Sequence, residues 1–240
     1  MLNIVTALKI EAMPIIQKYN LKSIDGIYQN KFINLIITGQ GKLKSAINTT
    51  YLLSQHKHKT LNIGIAGSNK YKINEGFFID KIIDSDSNYH YYPDYFDQKS
   101  ETLYTVSKPN KYYSLVDMEG SGFFEACYKF LNVEEIILYK IVSDTPHEHI
   151  KKEIIPELIT NHLEIIDKLL DEKNNVFAEI EEKLNEIKQK MHITKTQENQ
   201  IKHILTLYKI KNKKFPIIKE LRKKEEVKEF ITSLFSSLEI

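Results

Sequence analysis

The run Ile136-Ile137-Leu138-Tyr139-Lys140-Ile141-Val142 is almost unbroken in its apolar character and ends in Ser143-Asp144. A strand of this kind, without polar alternation, is central and covered on both faces. That places helices on either side of a sheet. Upstream segments supply them in turn. Residues 2–7 read as a buried strand, followed by a helix from Ile10 to Tyr19 with Met13, Ile16 and Tyr19 at helical spacing. Tyr28 and the run Phe32–Ile37 predict a hairpin turning at Gln29-Asn30. Thr38-Gly39-Gln40-Gly41-Lys42 leads into a second helix with Ala46, Thr49, Leu52 and Leu53 on one side. Leu61–Ile65 is a short buried strand ending in Ala66-Gly67-Ser68-Asn69, and Gly76–Asp84 is a longer strand. Residues 85–112 read as irregular, polar and tyrosine-rich. Glu119–Leu131 reads as a helix with Phe123, Phe124, Cys127 and Phe130 inward. After residue 142 the pattern predicts one long helix that turns Ile155, Leu158, Ile159, Ile166 and Leu169 to the core.

This alternation predicts an α/β domain with a mixed central sheet over residues 1–170. Residues 171–240 differ in kind. Val176/Ile180/Leu184/Ile187/Met191, Ile201/Ile204/Leu205/Tyr208 and Val227/Phe230/Ile231/Leu234/Phe235/Leu238 all have helical spacing, with no strand signal among them. They predict a helical extension.

Composition narrows the partners. The net charge of +2 gives no reason to expect a polyanion. The single cysteine, Cys127, excludes an internal disulfide and fits a reducing, cytoplasmic setting. No apolar run approaches the roughly 18 residues of a membrane span, so no membrane partner is expected. The chain has 33 lysines and one arginine, Arg222. No bidentate arginine clamp for phosphate can therefore exist in the first 200 residues. Lys209–Lys228, with nine basic and three acidic residues, reads as a solvated face rather than a nucleic-acid patch. Gly39-Gln40-Gly41 lacks the third glycine of a dinucleotide fingerprint and reads as a turn before a helix. His147-Glu148-His149 spaces its histidines two apart, which does not place them on one helix face, and no metal is expected.

Chemistry concentrates at three carboxylates. Val116-Asp117-Met118-Glu119-Gly120 sits where a strand-like run turns into a helix. Ile141-Val142-Ser143-Asp144 sits at the end of the central strand. Glu11 follows the first strand in the same way. In open α/β sheets ligands bind beyond the strands' carboxyl ends, so three acids at three such ends predict a single site.

In five ordered segments the chain resembles the nucleoside phosphorylase superfamily, and most closely its methylthioadenosine/S-adenosylhomocysteine nucleosidase branch. The segments are Ala7-Leu8-Lys9-Ile10-Glu11, Thr38–Lys42, Asn62-Ile63-Gly64-Ile65-Ala66-Gly67-Ser68, Val116–Gly120 and Ile141–Asp144. The resemblance covers about residues 1–170. It implies a three-layer phosphorylase/hydrolase-like α/β fold, no metal or cofactor, a purine-type nucleoside substrate and a homodimer with residues 85–112 near the interface. It also implies roles. Asp144 is the general acid that protonates the departing purine, with Ser143 helping to hold it. Glu11 orients and deprotonates the attacking water. Glu119 binds the ribose hydroxyls, Met118 packs under the sugar, and Ala66 and Gly67 let the backbone approach base and sugar.

The chain departs from the family pattern at several points. Residues 85–112 are shorter, and the phenylalanine string that stacks on adenine is missing. Thr105-Val106-Ser107-Lys108-Pro109 takes its place, which brings Val106 into the substrate-binding set, or one of Tyr91, Tyr92, Tyr95 and Phe96 stacks instead. Asp117 stands for a glutamate and Ser68 for a glycine, so the residues leave the base and the 5′ substituent open. The missing arginines favour water over phosphate as nucleophile. Lys9 or Lys42 could serve phosphate only as a point charge, and Glu11 would repel it. The alternatives are a phosphate-dependent phosphorylase and a nucleoside-binding or regulatory protein of the same fold.

Overall fold

The computed structural model describes residues 1–94, 99–108, 113–147, 152–210, 214–215 and 224–236, apart from the side chains at 172–178, 181, 209–210, 224–226 and 235. These residues fall into two units, Met1–Asp167 and Lys168–Ile240.

The first unit opens with β1 (Leu2–Thr6) and α1 (Lys9–Lys18). A hairpin of β2 (Lys22–Ile24) and β3 (Ile27–Gln29) turns at Asp25-Gly26, where both residues have positive φ. Strand β4 (Ile33–Ile37) pairs antiparallel with β3, Tyr28 opposite Leu35, as the apolar run predicts. Next come α2 (Lys42–Gln55), β5 (Thr60–Gly67), β6 (Gly76–Asp84), β7 (His90–Tyr91), β8 (Ser100–Thr105), β9 (Val116–Asp117) and α3 (Gly120–Tyr128). The unit ends with β10 (Ile136–Asp144), α4 (Ile155–Asn161) and the start of α5 (Glu164–Lys190).

The sheet is mixed. Strand β5 runs parallel to both β1 and β10, while β10 meets β6 antiparallel. Strands β6, β8 and β9 continue from there, and β9 returns to β5, so five strands close on themselves. Strands β1, β4, β3 and β2 extend from β5 as an open wing. Alternate residues of the strands face opposite layers. Leu138 and Val142 join a core with Leu52 and Leu53 of α2 and Phe123, Phe124 and Cys127 of α3. Tyr139, one residue out of phase, meets His162 beyond α4 on the other side.

Two expectations need correction. Residues 85–112 are not wholly irregular, because β7 and β8 lie within them. Thr102-Leu103-Tyr104-Thr105 is rich in β-branched and aromatic residues and forms a parallel bridge between β6 and β9. The single long helix expected after residue 142 is broken at His162. Its ring is held between the Tyr139 hydroxyl (2.8 Å) and the Asn74 carbonyl (3.1 Å), and its backbone leaves helical geometry. The second unit buries a core of its own, built from Ile180, Leu184 and Ile187 of α5, Ile201 and Ile204 of α6 (Lys195–Ile210), and Val227 and Ile231 of α7 (Lys224–Ser236). The side chains of Val176 and Phe235, and Leu238, lie outside the described residues. Among the described residues no helix is long and apolar enough to cross a membrane.

Candidate active site

The ends of β1, β5, β9 and β10 open onto one cavity of about 240 Å³. Glu11, Ala66, Gly67, Val106, Met118, Glu119 and Asp144 all line it, together with Leu8, Gln40, Ile65 and Asp117. Ser143 stands one position behind. Its hydroxyl donates to Asp144 Oδ1 at 2.9 Å and also approaches the Ala66 carbonyl at 3.4 Å. The three acids read from the sequence are thus brought together, each by a different element.

Glu11 sits in the first turn of α1, where its carboxylate accepts from the Leu8 N–H (2.7 Å) and across to the Ile65 N–H of β5 (3.0 Å). The missing side chain of Gly64 makes room for it, since a Cβ there would lie 2.9 Å from Glu11 Oε1. Burial raises the pKa of this carboxyl above 4.5, against the two N–H donors and the positive charge of Lys140. Glu119 accepts from the Gly41 N–H at 2.8 Å, which ties the start of α2 to the start of α3. Burial first, and the neighbouring Asp117 charge second, push Glu119 up to about 7. Met118 is half-buried, and its sulfur lies 3.1 Å from Gln40 Nε2. Gly67 lies against Asp144, where a Cβ would come within 3.2 Å of Oδ2.

Lys140 was given no role from the sequence, and Asp117 only as a departure from the family pattern, yet the two form a charged pair at this cavity. Lys140 lies in the apolar run that identifies β10, in phase with Leu138 and Val142, so its side chain points to the α3 side. Its ammonium is fully buried and sits 2.9 Å from Asp117 Oδ2. Burial works to lower its pKa, but Asp117, Glu119 and Glu11 outweigh that and hold it above the ordinary lysine value. Asp117 is also held by the Thr105 hydroxyl (2.8 Å) and the Gly120 N–H (2.9 Å). One buried cation thus sits behind a cavity lined by four carboxylates, and no lysine or arginine lines that cavity among the described residues. Such a field favours positive charge developing inside it and disfavours a bound anion.

No protein-family model matches the chain, and neither does any curated protein. Solved structures do. The apo 5′-methylthioadenosine nucleosidase of Arabidopsis thaliana aligns over 70% of this chain and 95% of its own, with a TM-score of 0.62 and 14% identity. The 5′-methylthioadenosine/S-adenosylhomocysteine nucleosidase of S. pneumoniae, with a transition-state inhibitor, covers 70% and 97% at a TM-score of 0.54 and 15% identity. Futalosine hydrolase of Helicobacter pylori covers 71% and 97% at 0.57 and 17% identity. The chain has the nucleosidase fold.

Within this nucleosidase fold two of the residues offered as stacking partners, Tyr91 and Tyr92, lie elsewhere. Tyr91 and Tyr92 line a separate cavity with His90, Phe124, Glu125 and Tyr128, because Tyr91 packs on Phe124 and donates its hydroxyl to Glu125. Tyr95 and Phe96 fall outside the described residues, as do Glu148 and His149. Among the described residues no group of histidine, cysteine and acidic side chains is arranged to hold a metal. Lys42, the alternative anion ligand, turns away to Asp84 and Asp86, and Lys9 is exposed at the start of α1.

Proposed function

We propose that the chain is a nucleoside N-ribosyl hydrolase acting on a purine-type nucleoside, of the kind that methylthioadenosine and S-adenosylhomocysteine represent. The carrying observation is that Glu11, Glu119 and Asp144 share one cavity lined by no described basic side chain.

Cleavage of the C1′–N9 bond leaves positive charge on the ribosyl ring and sends the bonding pair to the purine. Asp144 gives its proton to N7 of the departing base. Ser143 steadies that carboxyl from behind. Glu119 accepts the ribose hydroxyls through charge-assisted hydrogen bonds, and Met118 packs its thioether under the sugar. Glu11, with its raised proton affinity, takes the proton of the water whose oxygen bonds to C1′. Ala66, Gly67 and Val106 line the base and sugar path.

The same electrostatics favour water over phosphate. A phosphate would enter among four carboxylates, and Lys42 is already paired with two more. A second copy of the chain is the proposed partner. Leu43, Ile47 and Tyr51 form an i, i+4, i+8 stripe on α2 and are 73%, 57% and 42% exposed, which supports an interface there.

The test is product analysis on adenosine, methylthioadenosine, adenosylhomocysteine, inosine and futalosine-like nucleosides, with and without phosphate. Hydrolysis releases free base and free sugar at a rate indifferent to phosphate. A sugar 1-phosphate and phosphate-dependent turnover would make it a phosphorylase. Tight binding across the panel without turnover would make it a nucleoside-binding protein.

A further inference from the structure

Lys42 is the first residue of α2, the end of a helix where its dipole disfavours a cation. The position is maintained by two carboxylates. Its ammonium lies 3.0 Å from Asp84 Oδ2 and 3.2 Å from Oδ1, and 2.5 Å from Asp86 Oδ2. Asp84 is 5% exposed and is itself anchored on three sides. It accepts from the Ser121 hydroxyl of α3 at 2.6 Å, and from the N–H groups of Asp86 and Ser87 at 3.0 Å each. Asp86 in turn accepts from the Ser107 hydroxyl. Burial opposes the Asp84 charge, yet Ser121, the Ser87 N–H and Lys42 prevail and hold its carboxyl down to about 2.

None of Lys42, Asp84, Asp86 and Ser107 lines the cavity, but the network holds two stretches that contribute Gln40 and Val106 to its lining. Gln40 and Gly41 immediately precede Lys42, and the Gly41 N–H is the donor to Glu119. Val106 immediately precedes Ser107, and its N–H donates to the Asp117 carbonyl at 2.9 Å. The two stretches come from different parts of the chain, the turn before α2 and the residues just after β8, and each also reaches the Asp117–Glu119 string.

We propose that Lys42 is a positioning residue that clasps the Gly39–Lys42 turn to the Val106–Ser107 stretch through Asp84 and Asp86, and so sets the span of the nucleoside cavity. The cavity's ligand class rests on the reading above, while the clasp itself is testable without ligand. Neutralising Lys42 would release both stretches together. Because the clasp shapes the walls and not the reacting atoms, its loss weakens ground-state and transition-state binding alike, which raises KM more than it lowers kcat.

The experiment compares the full chain with Lys42→Met and Lys42→Arg. Backbone hydrogen–deuterium exchange without ligand is read first. Lys42→Met should speed exchange in segments 38–48 and 104–108 together by about tenfold, with β1 and α1 unchanged, and Lys42→Arg should restore both. Asp86→Asn should loosen 104–108 while leaving 38–48 near the parent rate, which covers the case of a Lys42→Met chain that fails to fold. With methylthioadenosine, Lys42→Met should raise KM about tenfold and alter kcat less than about threefold. Unchanged exchange, loosening spread through the whole of Met1–Asp167, or an equal fall in kcat with KM constant would overturn the clasp. If the parent chain cleaves no nucleoside, the hydrolase reading fails, and the exchange data still decide the clasp.

Discussion

The Lys140 ammonium and the Asp117 carboxylate meet at 2.9 Å with side chains 2% and 0% exposed, so each is the other's main defence against burial. Removing one partner strands the other charge, at a cost of about 3–5 kcal/mol. Lys140→Met should therefore lower the denaturant midpoint sharply. Lys140→Met combined with Asp117→Asn should recover part of the loss, because the second change removes the stranded charge. A Lys140→Met chain as stable as the parent would contradict this pairing.

Glu119 carries a second, opposite effect on stability. Its carboxyl is pushed up to about 7 from 4.5. Between those values the folded chain holds a proton that the unfolded chain has released, so this group's contribution falls as pH rises through that window. Glu119→Gln should flatten the dependence of Tm on pH there and raise Tm by a few degrees at pH 8. It should also cost most of the turnover, since an amide is a poorer acceptor for ribose hydroxyls. In the parent chain KM should climb as pH drops below about 7, where Glu119 takes up its proton.

Gly64 makes a clean separation between stability and activity. A Cβ there would meet Glu11 Oε1 at 2.9 Å, and the far end of that side chain can swing away. Gly64→Ala should leave Tm within a few degrees of the parent and lower kcat by roughly 10–100-fold through the displaced carboxylate. Unchanged kcat with a folded chain would remove Glu11 from the reaction.

The stripe on α2 predicts an oligomer sensitive to one charge. Ile47 is 57% exposed, so Ile47→Glu should not disturb folding. It should shift the chain from dimer to monomer in sedimentation. A parent chain that is already monomeric would exclude the interface.

Much of this architecture was readable from the sequence because its signals are local. The apolar runs within Leu2–Thr6, Thr60–Gly67 and Ile136–Asp144 are strands, and Glu11, just beyond the first, and Asp144, at the end of the last, line one cavity because both strands run parallel to β5 and end at the same edge. Strand β8 was hidden because Thr102-Leu103-Tyr104-Thr105 is flanked by polar and tyrosine-rich sequence and is fixed only by β6 and β9, which are remote in the chain. Lys140 was hidden for a different reason. A single lysine in an apolar run reads as an interruption, and only the register placing it beside Gly64 and within reach of Asp117 gives it a role. The Lys42–Asp84–Asp86–Ser107 network joins three separate segments, and no spacing rule in one sequence can connect them.

Protonation of the leaving base by Asp144 is tested most directly by the rate of base release by the parent chain and by Asp144→Asn on the best purine nucleoside of the panel. A hydrolase with Asp144 as its acid turns over as the parent chain and loses about 10²–10⁴-fold in kcat when the acid is replaced, with the chain still folded and still binding nucleoside. Full turnover by Asp144→Asn would contradict that role.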